Sequence, residues 1–483
     1  MFHRLFVAHR WEWLILSVVS VAFLLLFSPS TSPLFPYEPN RMHGDSTIFQ
    51  MMGIAMLNGK TLYLDIFDHK GCLLFMVNAL GYLLGGKGGL ILLQMLSFLL
   101  TLMLWKRTAA LLVSRPWLQY AATLLPLSVL VFFMEDGNLS EEWCLPWISL
   151  PLYLYVKHCM ARRADLPASS LWLIGLSLGI ITLIRINNAA AICTLLLCLL
   201  VRYALLRRWR YILSSVGWAL LGFVVPIVPC VVYFALRAGA EGVFALYDGT
   251  LLFNLEYMKS GLDTGEVMAP HYFLKVALPF LLTAVAMGRR QWQWLPLLLA
   301  YPLTLLAIGM PRFPHYLCIF GPLLPLSLAG VMQGRRRLVL CALASLFLLW
   351  GGVHKVYYQY LHMREDTTTE RAFRQEARQL FDQIPVSQRD STWNLYVTFQ
   401  AGDVLNDMRF TPMNRIIMPN HLWVTDRYAN ERGKMPRTSP LWVMTMDRIW
   451  VEDVDRECLL SRYELRGVTR SGRINVALYR RRD

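Results

Sequence analysis

Apolar runs, each close to the ~20 residues that carry a helix across a bilayer, recur along the first three quarters of the chain. Hydrophobic residues make up 56% of the sequence, so the runs are not isolated features of a soluble core. The sequence therefore predicts an α-helical polytopic membrane protein. About eleven transmembrane helices are expected, at about 11–28, 88–104, 117–134, 142–157, 168–184, 188–206, 211–236, 271–288, 292–309, 314–332 and 337–353.

A further apolar run, from Cys72 to Gly86, is short and interrupted by glycine. It predicts a helix that lies at the membrane interface or dips into the bundle. The first run has a charged start but no small-residue cleavage site after it, so we expect it to remain as the first transmembrane helix.

Lysine and arginine clusters give an independent test of the topology, because cytoplasmic loops carry the excess of positive charge. With eleven spans, all major clusters fall on one side of the membrane. These expectations place the protein in the plasma (inner) membrane, with a cytoplasmic N-terminus and an extracytoplasmic C-terminus. The net charge of +15 then reflects mainly topology and gives no reason to expect nucleic acid as a partner.

The composition changes near residue 361, where mixed polar and apolar residues replace the long runs. We expect a transmembrane domain over 1–360 and a small soluble α/β domain over 361–483, outside the membrane. Helical spacing of apolar residues predicts a helix over Thr369–Ile384. Short β-type runs predict strands at Trp393–Phe399, Leu441–Met446 and Val476–Tyr479.

The first outer loop, about 29–87, contains an unusual concentration of charge between two predicted membrane helices. Charge at this depth is costly unless it is paired or used. Asp45 precedes a helical pattern, so two interpretations are open. Its side chain caps the helix, or it acts as a general base that accepts a proton from a hydroxyl nucleophile.

The same loop continues with Asp65, Asp68, His69 and Lys70 in the run Tyr-Leu-Asp-Ile-Phe-Asp-His-Lys-Gly. One interpretation is a solvated turn at the headgroup level. The other is a substrate site, in which Lys70 holds the phosphate of a lipid-linked donor. Neither the spacing of the aspartates nor the histidine alone specifies a metal site. We therefore expect no required cofactor and no resident metal, although a divalent cation stays open.

Two other outer segments carry polar residues that suit the same chemistry. Glu141 and Glu142 start the fourth predicted span, where they either complement the helix dipole or bind the acceptor. Arg185, followed by Asn187 and Asn188, lies at the outer end of the fifth span, against the charge rule. Pairing with a glutamate and binding of phosphate are equally supported roles for this arginine.

Two later segments complete the set of candidate binding residues. Arg312, His315 and Tyr316 form a short turn before the tenth predicted span. Tyr257 and Lys259 lie in a longer outer loop, whose pattern indicates an amphipathic surface helix, with closure over a site as the alternative.

Taken together, these motifs resemble those of bacterial GT-C class integral-membrane glycosyltransferases, the group that includes protein mannosyltransferase-like and aminoarabinose transferase-like enzymes. The resemblance spans most of the predicted membrane part and rests on several segments: the Asp-Ser at 45–46, the motif at 63–71, Gly-Asn-Leu-Ser-Glu-Glu at 137–142, Arg-x-Asn-Asn at 185–188 and the run at 312–316.

The resemblance implies a bundle of membrane helices, juxtamembrane helices in the first outer loop and a soluble outer domain. It also implies transfer of a sugar from a polyprenyl-phosphate donor to a cell-envelope lipid, glycan or protein acceptor, with inversion at the anomeric carbon. The family pattern makes Asp45 the catalytic acidic residue, Glu141 or Glu142 the second one, and Lys70 a contact to the donor phosphate. Cys72 departs from the pattern, since the family usually has proline there.

Three other functions compete with this expectation. A lipid-linked sugar flippase or transporter would have charges near mid-membrane and paired halves, and the sequence shows neither. An oligosaccharide ligase would favour a large outer loop late in the chain. A family member without activity would not need to retain Asp45, Lys70 and Glu141.

Overall fold

The computed structural model describes most of the chain. The described residues are 10–35, 44–134, 137–161, 165–261, 314–332, 367–418, 421, 426–431, 433–446, 453–471 and 475–482, with a few single positions between 299 and 354.

Helices dominate the described residues. In chain order they are α1 (Arg10–Phe27), α2 (Asp45–Leu57), α3 (Cys72–Gly85), α4 (Lys87–Leu112), α5 (Pro116–Leu124), α6 (Leu127–Leu130), α7 (Ser140–Met160), α8 (Ala168–Ile184), α9 (Ala190–Leu205), α10 (Trp209–Tyr247), α11 (Phe253–Gly261), α12 (Leu323–Val331), α13 (Thr367–Phe381), α14 (Thr398–Asp407), α15 (Lys434–Thr438) and α16 (Asp453–Arg462). The four strands are β1 (Thr392–Leu395), β2 (Trp442–Met446), β3 (Tyr463–Val468) and β4 (Val476–Arg481).

Four described helical stretches are long and apolar enough to cross a membrane. They are Arg10–Phe27, Lys87–Leu112, Ile186–Leu205 and Trp209–Tyr257; a fifth is the pair Pro314–Phe320 and Leu323–Val331, bent by 57°. A polytopic membrane protein is thus supported, while the number of about eleven spans stays a prediction. The predicted span 271–288, and nearly all of 292–309 and 337–353, lie outside the described residues.

Proline explains why the predicted span at 117–134 is interrupted. Helix α5 ends at Leu124, and α6 begins after Pro126. Proline lacks the backbone N–H of a helical hydrogen bond, and its ring clashes with the preceding turn. Hydrophobicity alone does not reveal such a break.

The chain divides into two compact units. The first comprises Met1–Ser32, Ile91–Cys230 and Gly265–Tyr358. Within it, helices α8 and α10 approach closely at glycine. A β-carbon added at Gly175 would lie 1.9 Å from the carbonyl oxygen of Ala219, and one at Gly222 would lie 2.0 Å from that of Trp172. Small residues at such crossings are typical of membrane helix pairs.

The second unit comprises Pro33–Leu90, Val231–Thr264 and Gln359–Asp483. It therefore joins the first outer loop to the C-terminal segment. This division does not test the predicted boundary at residue 360 between a membrane part and a soluble part, which stays a prediction. Helices α2 and α3 pack against each other in this unit, because Gly53 leaves room for the backbone of Ala79.

The C-terminal segment contains a four-stranded sheet with the order β1-β2-β4-β3. Strands β1 and β2 are parallel, and the other two pairs are antiparallel. Trp393, Val443, Leu459 and Tyr463 form a core between the sheet and α16. The predicted helix and the strands at 441–446 and 476–479 are confirmed as α13, β2 and β4.

Two details of the prediction for this segment are wrong. The strand expected at Trp393–Phe399 ends at Leu395, because Tyr396 has a positive φ of 67° and α14 begins at Thr398. Strand β3 was not expected. Four of its six residues are exposed, so it lacks the alternation of apolar residues that marks a half-buried strand.

Candidate functional site

The motif at 63–71 forms a tight local turn at its start. The backbone N–H of Thr61 donates to Oδ2 of Asp65 at 2.7 Å, and the N–H of Tyr63 donates to the carbonyl of Ile66. Tyr63 has a φ of 67°, a conformation that favours such turns. Asp65 is exposed and points its carboxylate at this turn, so its observed contact shapes the loop.

Aromatic side chains hold the rest of the motif in place. The Tyr63 hydroxyl donates to the carbonyl of Lys70 at 2.8 Å, and Asn254 donates from Nδ2 to the carbonyl of His69 at 2.7 Å. The ring of Phe67 packs edge-on against Phe253 and Tyr428, with centroids 5.0 and 4.7 Å away. The backbone around Asp68 is therefore fixed by contacts from two distant parts of the chain, at 253–254 and at Tyr428.

Asp68 is the centre of a buried polar cluster. Its Oδ1 lies 3.2 Å from Nδ1 of His69, 3.5 Å from Nζ of Lys70 and 3.7 Å from Nε2 of His421. Nδ1 of His69 and Nε2 of His421 are 3.0 Å apart. Asp68 is 1% exposed and His421 is 3% exposed, so these charges interact with little screening by water.

This environment displaces two pKa values. Burial alone would raise the pKa of Asp68, but Lys70 and the two histidines outweigh it and hold that pKa well below its usual range. Burial lowers the pKa of His421 to about 3, although the Asp68 carboxylate opposes this change. The aspartate is therefore ionised and His421 neutral near pH 7. The set Asp68, His69 and His421 could hold a metal ion.

Lys70 connects this cluster to Asp45. Its Nζ lies 3.8 Å from Oδ2 of Asp45 and 5.3 Å from the centre of the Phe49 ring. The Asp45 side chain is 27% exposed, and that of Lys70 is 8% exposed. Asp45 starts α2, and the N-cap position belongs to Gly44. Capping therefore does not account for Asp45, whose partly exposed carboxylate lies beside a buried ammonium group.

Helix α11 covers the cluster on one side. The ring of Tyr257 stacks on His69 with centroids 4.5 Å apart, so this predicted binding residue lies beside the motif. Lys259 belongs to the same helix, and its side chain lies outside the described residues. Asp248 accepts a hydrogen bond from the Tyr428 hydroxyl at 2.9 Å, which joins the start of this region to the C-terminal segment.

A second polar group is found in the first unit. Nη1 of Arg185 donates to Oε1 of Glu141 at 2.5 Å and to the Ser140 hydroxyl at 3.3 Å. The Tyr316 ring lies 4.3 Å from the Arg185 guanidinium carbon. Both charged side chains are buried, with 9% and 1% exposure. The structure pairs Arg185 with a glutamate, which is one of the two roles left open for it.

The remaining predicted residues of this unit have separate contacts. Nδ2 of Asn188 lies 3.5 Å from Sγ of Cys144, and His315 packs edge-on against Tyr316. Asn187 and Glu142 are half-buried. Arg312 lies outside the described residues.

The structure thus brings Asp45, Asp68, His69, Lys70 and Tyr257 together in the second unit, and Glu141, Arg185, Asn188, His315 and Tyr316 together in the first. His421 was not among the residues predicted from the sequence. It occupies a stretch without a recognisable motif, so only its position in the folded chain reveals its proximity to His69.

Comparison with known proteins supplies the fold. No protein-family model matches the chain, and no curated protein matches its sequence. The structure is similar to the crystal structure of ArnT from Cupriavidus metallidurans bound to undecaprenyl phosphate, with a TM-score of 0.59 over 98% of both chains. The chain has a GT-C-like fold. This confirms the fold expected from the motifs, whereas 13% sequence identity is too low to carry over an activity.

Proposed function

We propose that the chain is a membrane glycosyltransferase that moves a sugar from a polyprenyl-phosphate donor to a cell-envelope acceptor. Transfer of a hexosyl or pentosyl group, on the outer face of the plasma membrane, would invert the anomeric carbon. The observation that carries this proposal is the pair formed by the Asp45 carboxylate and the buried Lys70 ammonium, 3.8 Å apart. It provides a carboxylate that can act as a base and a cation that can bind phosphate.

In the proposed reaction, the acceptor hydroxyl attacks the anomeric carbon on the face opposite the phosphate. Asp45 takes the hydroxyl proton, the new glycosidic bond forms, and the bond from the anomeric carbon to the phosphate oxygen breaks. The polyprenyl phosphate leaves with the bonding electron pair. Lys70 stabilises the charge that develops on this leaving group, the kind of electrostatic effect that usually contributes most to catalysis.

The donor class is supported by two observations. ArnT, which has a similar fold, was crystallised with undecaprenyl phosphate. Lys70 is held rigidly, since its backbone carbonyl accepts from Tyr63 and its side chain packs over Phe49. A lysine fixed in this way loses little conformational entropy when it binds an anion.

Within this proposal, Glu141 and Arg185 have a structural role. Each neutralises the other in a buried pair, so neither is a free charge for an acceptor or a phosphate. Glu142, which is half-buried beside them, is the better candidate of the two glutamates for contact with the acceptor.

The test is sugar transfer by purified protein in detergent, with a short-chain polyprenyl-phosphate sugar and a cell-envelope extract as acceptor. We expect Asp45→Asn to lower the rate at least about 100-fold, because general-base catalysis contributes on this scale. Asp65→Asn is the matched control: it removes an exposed carboxylate of the same loop and should retain most of the activity.

Transfer at the wild-type rate by Asp45→Asn would disprove the catalytic assignment. A wild-type protein that moves the donor across vesicle membranes without transferring the sugar would instead identify a flippase. Both measurements use the same donor, so the two functions are separated in one series.

A further inference from the structure

We propose that Asp68, His69 and His421 bind a divalent transition-metal ion of the zinc class. The three facing atoms are Oδ1 of Asp68, Nδ1 of His69 and Nε2 of His421, and they are separated by 3.0, 3.2 and 3.7 Å. Tetrahedral zinc with ligand bonds of about 2.0–2.1 Å needs ligand atoms about 3.3 Å apart. The observed separations bracket that value, so one ion fits without rearrangement of the backbone.

Without an ion, the protons of the cluster have one consistent placement: His69 donates from Nδ1 to Nε2 of His421 at 3.0 Å, and Lys70 donates to Oδ1 of Asp68 at 3.5 Å. Nδ1 of His69 carries at most one proton, yet it faces an acceptor oxygen of Asp68 and a nitrogen of His421. If that proton points to Asp68, Nδ1 of His69 can neither donate to Nε2 of His421 nor accept from it. If His421 donates to His69 instead, the lone pair of His69 faces the carboxylate. A cation in their midst is the alternative, because all three atoms can present lone pairs to it.

Two further atoms of this cluster, Oδ2 of Asp68 and Nδ1 of His421, are buried without a hydrogen bond in the described residues. These two atoms are not among the three that would bind the ion, so a water molecule or another group has to satisfy them. In metal sites, the second histidine nitrogen and the second carboxylate oxygen are the atoms that neighbouring groups orient.

The ligand types select the ion. Two imidazoles and one carboxylate suit zinc and similar transition metals, whereas magnesium and calcium prefer oxygen ligands. Three protein ligands leave one coordination position free, as in sites where zinc takes part in chemistry. Burial also favours neutral histidine, the form that binds metal.

An ion at this place changes the surroundings of Lys70. It would add two positive charges within reach of the ammonium group and would bind the same carboxylate oxygen that Lys70 now contacts. If the proposed transfer reaction is correct, this frees Lys70 for the donor phosphate and strengthens anion binding. Metal binding itself does not depend on that reaction.

The experiment measures metal content in the full-length protein, purified in detergent through a histidine-free tag. The protein is stripped with a chelator, incubated with zinc, passed through a desalting column and analysed by elemental mass spectrometry. Cobalt(II) replaces zinc in a second sample, since four-coordinate cobalt(II) has characteristic visible absorption. The variants are His421→Ala and Asp68→Asn, and the matched control is His354→Ala, which removes an exposed histidine.

We expect the wild-type protein and His354→Ala to retain about one zinc per chain and the cobalt spectrum of a nitrogen- and oxygen-bound ion. His421→Ala and Asp68→Asn should bind at least about 100-fold more weakly, because loss of an outer contact alone costs 10–100-fold. Gel filtration and thermal melting show whether each variant is folded. His421→Gln, which retains a polar side chain of similar size, replaces any variant that is not.

A wild-type protein that retains no zinc would overturn the proposal, and so would a folded His421 variant that binds zinc as tightly as the control. These results are independent of sugar transfer. A protein that transfers sugar but binds no metal would refute the metal site alone, whereas zinc binding without transfer would refute only the proposed function.

Discussion

The buried pair of Glu141 and Arg185 allows a quantitative test of whether this glutamate is structural or catalytic. The change Glu141→Gln leaves the Arg185 guanidinium charged in a site where it is only 8% exposed. Removing one partner of a buried ion pair usually costs 3–5 kcal/mol, because the remaining charge is uncompensated. Since glutamine still offers one oxygen to Nη1, we expect the lower end of this range, about 3 kcal/mol.

The double variant Glu141→Gln/Arg185→Gln distinguishes the pair from its members. It removes both charges, so its destabilisation should be smaller than the sum of the two single effects by about 2–3 kcal/mol. Denaturant titration in detergent, followed by tryptophan fluorescence, gives the free energy of unfolding for all three variants. Glu142→Gln is the matched control, with an expected loss below about 1 kcal/mol because this side chain is only half-buried.

Activity per folded molecule completes the test. A structural role predicts that Glu141→Gln lowers the yield and the stability of the protein while the folded fraction transfers sugar at a similar rate. Additive single effects would refute the coupling. An unchanged free energy of unfolding together with lost transfer would show that Glu141 takes part in the reaction instead.

Two other predictions concern the second unit. Burial lowers the pKa of His421 to about 3, so this side chain stays neutral in the folded protein while the unfolded chain takes up a proton below about pH 6.5. The contribution of neutral His421 to the free energy of unfolding is therefore complete above about pH 6.5. It falls towards pH 3 by up to about 1.4 kcal/mol per pH unit. Thermal melting of chelator-treated protein at about pH 7.5 and about pH 5 should show this decrease, and an equal decrease in His421→Gln would contradict its cause. Gly53→Ala should cost about 1–3 kcal/mol, since the added β-carbon would lie 2.6 Å from the backbone nitrogen of Ala79. Gly88→Ala, which meets nothing within 4 Å, is the control and should be neutral or slightly stabilising in the same melts.

The sequence predicted the general fold because its strongest signals are local. Apolar runs, proline positions and helical spacing are properties of neighbouring residues, and they gave the apolar helices, α13 and two of the four strands. Strand β3 was not predicted because most of its residues are exposed, so the usual alternation of apolar and polar residues is missing. The break between α5 and α6 was not predicted because the apolar sequence continues through it.

The candidate site was likewise predictable only where its residues are close in sequence. Asp45, Asp68, His69 and Lys70 share one loop, so their proximity follows from the sequence. His421 adds the residue that turns an acidic and basic loop into a three-ligand cluster, and it lies 352 positions further along the chain. The choice between two roles for Arg185 also required the distance to Glu141, which no local pattern contains.

The contact between His69 and His421 has a consequence for biosynthesis. Because 352 positions separate the two histidines, the loop that carries Asp68 and Lys70 is made long before its last partner exists. Until the final part of the chain emerges, these polar side chains lack the neighbour that later encloses them. The region is thus completed only at the end of synthesis, and a chain truncated before residue 421 would keep the loop exposed, open to proteases and unable to form the cluster.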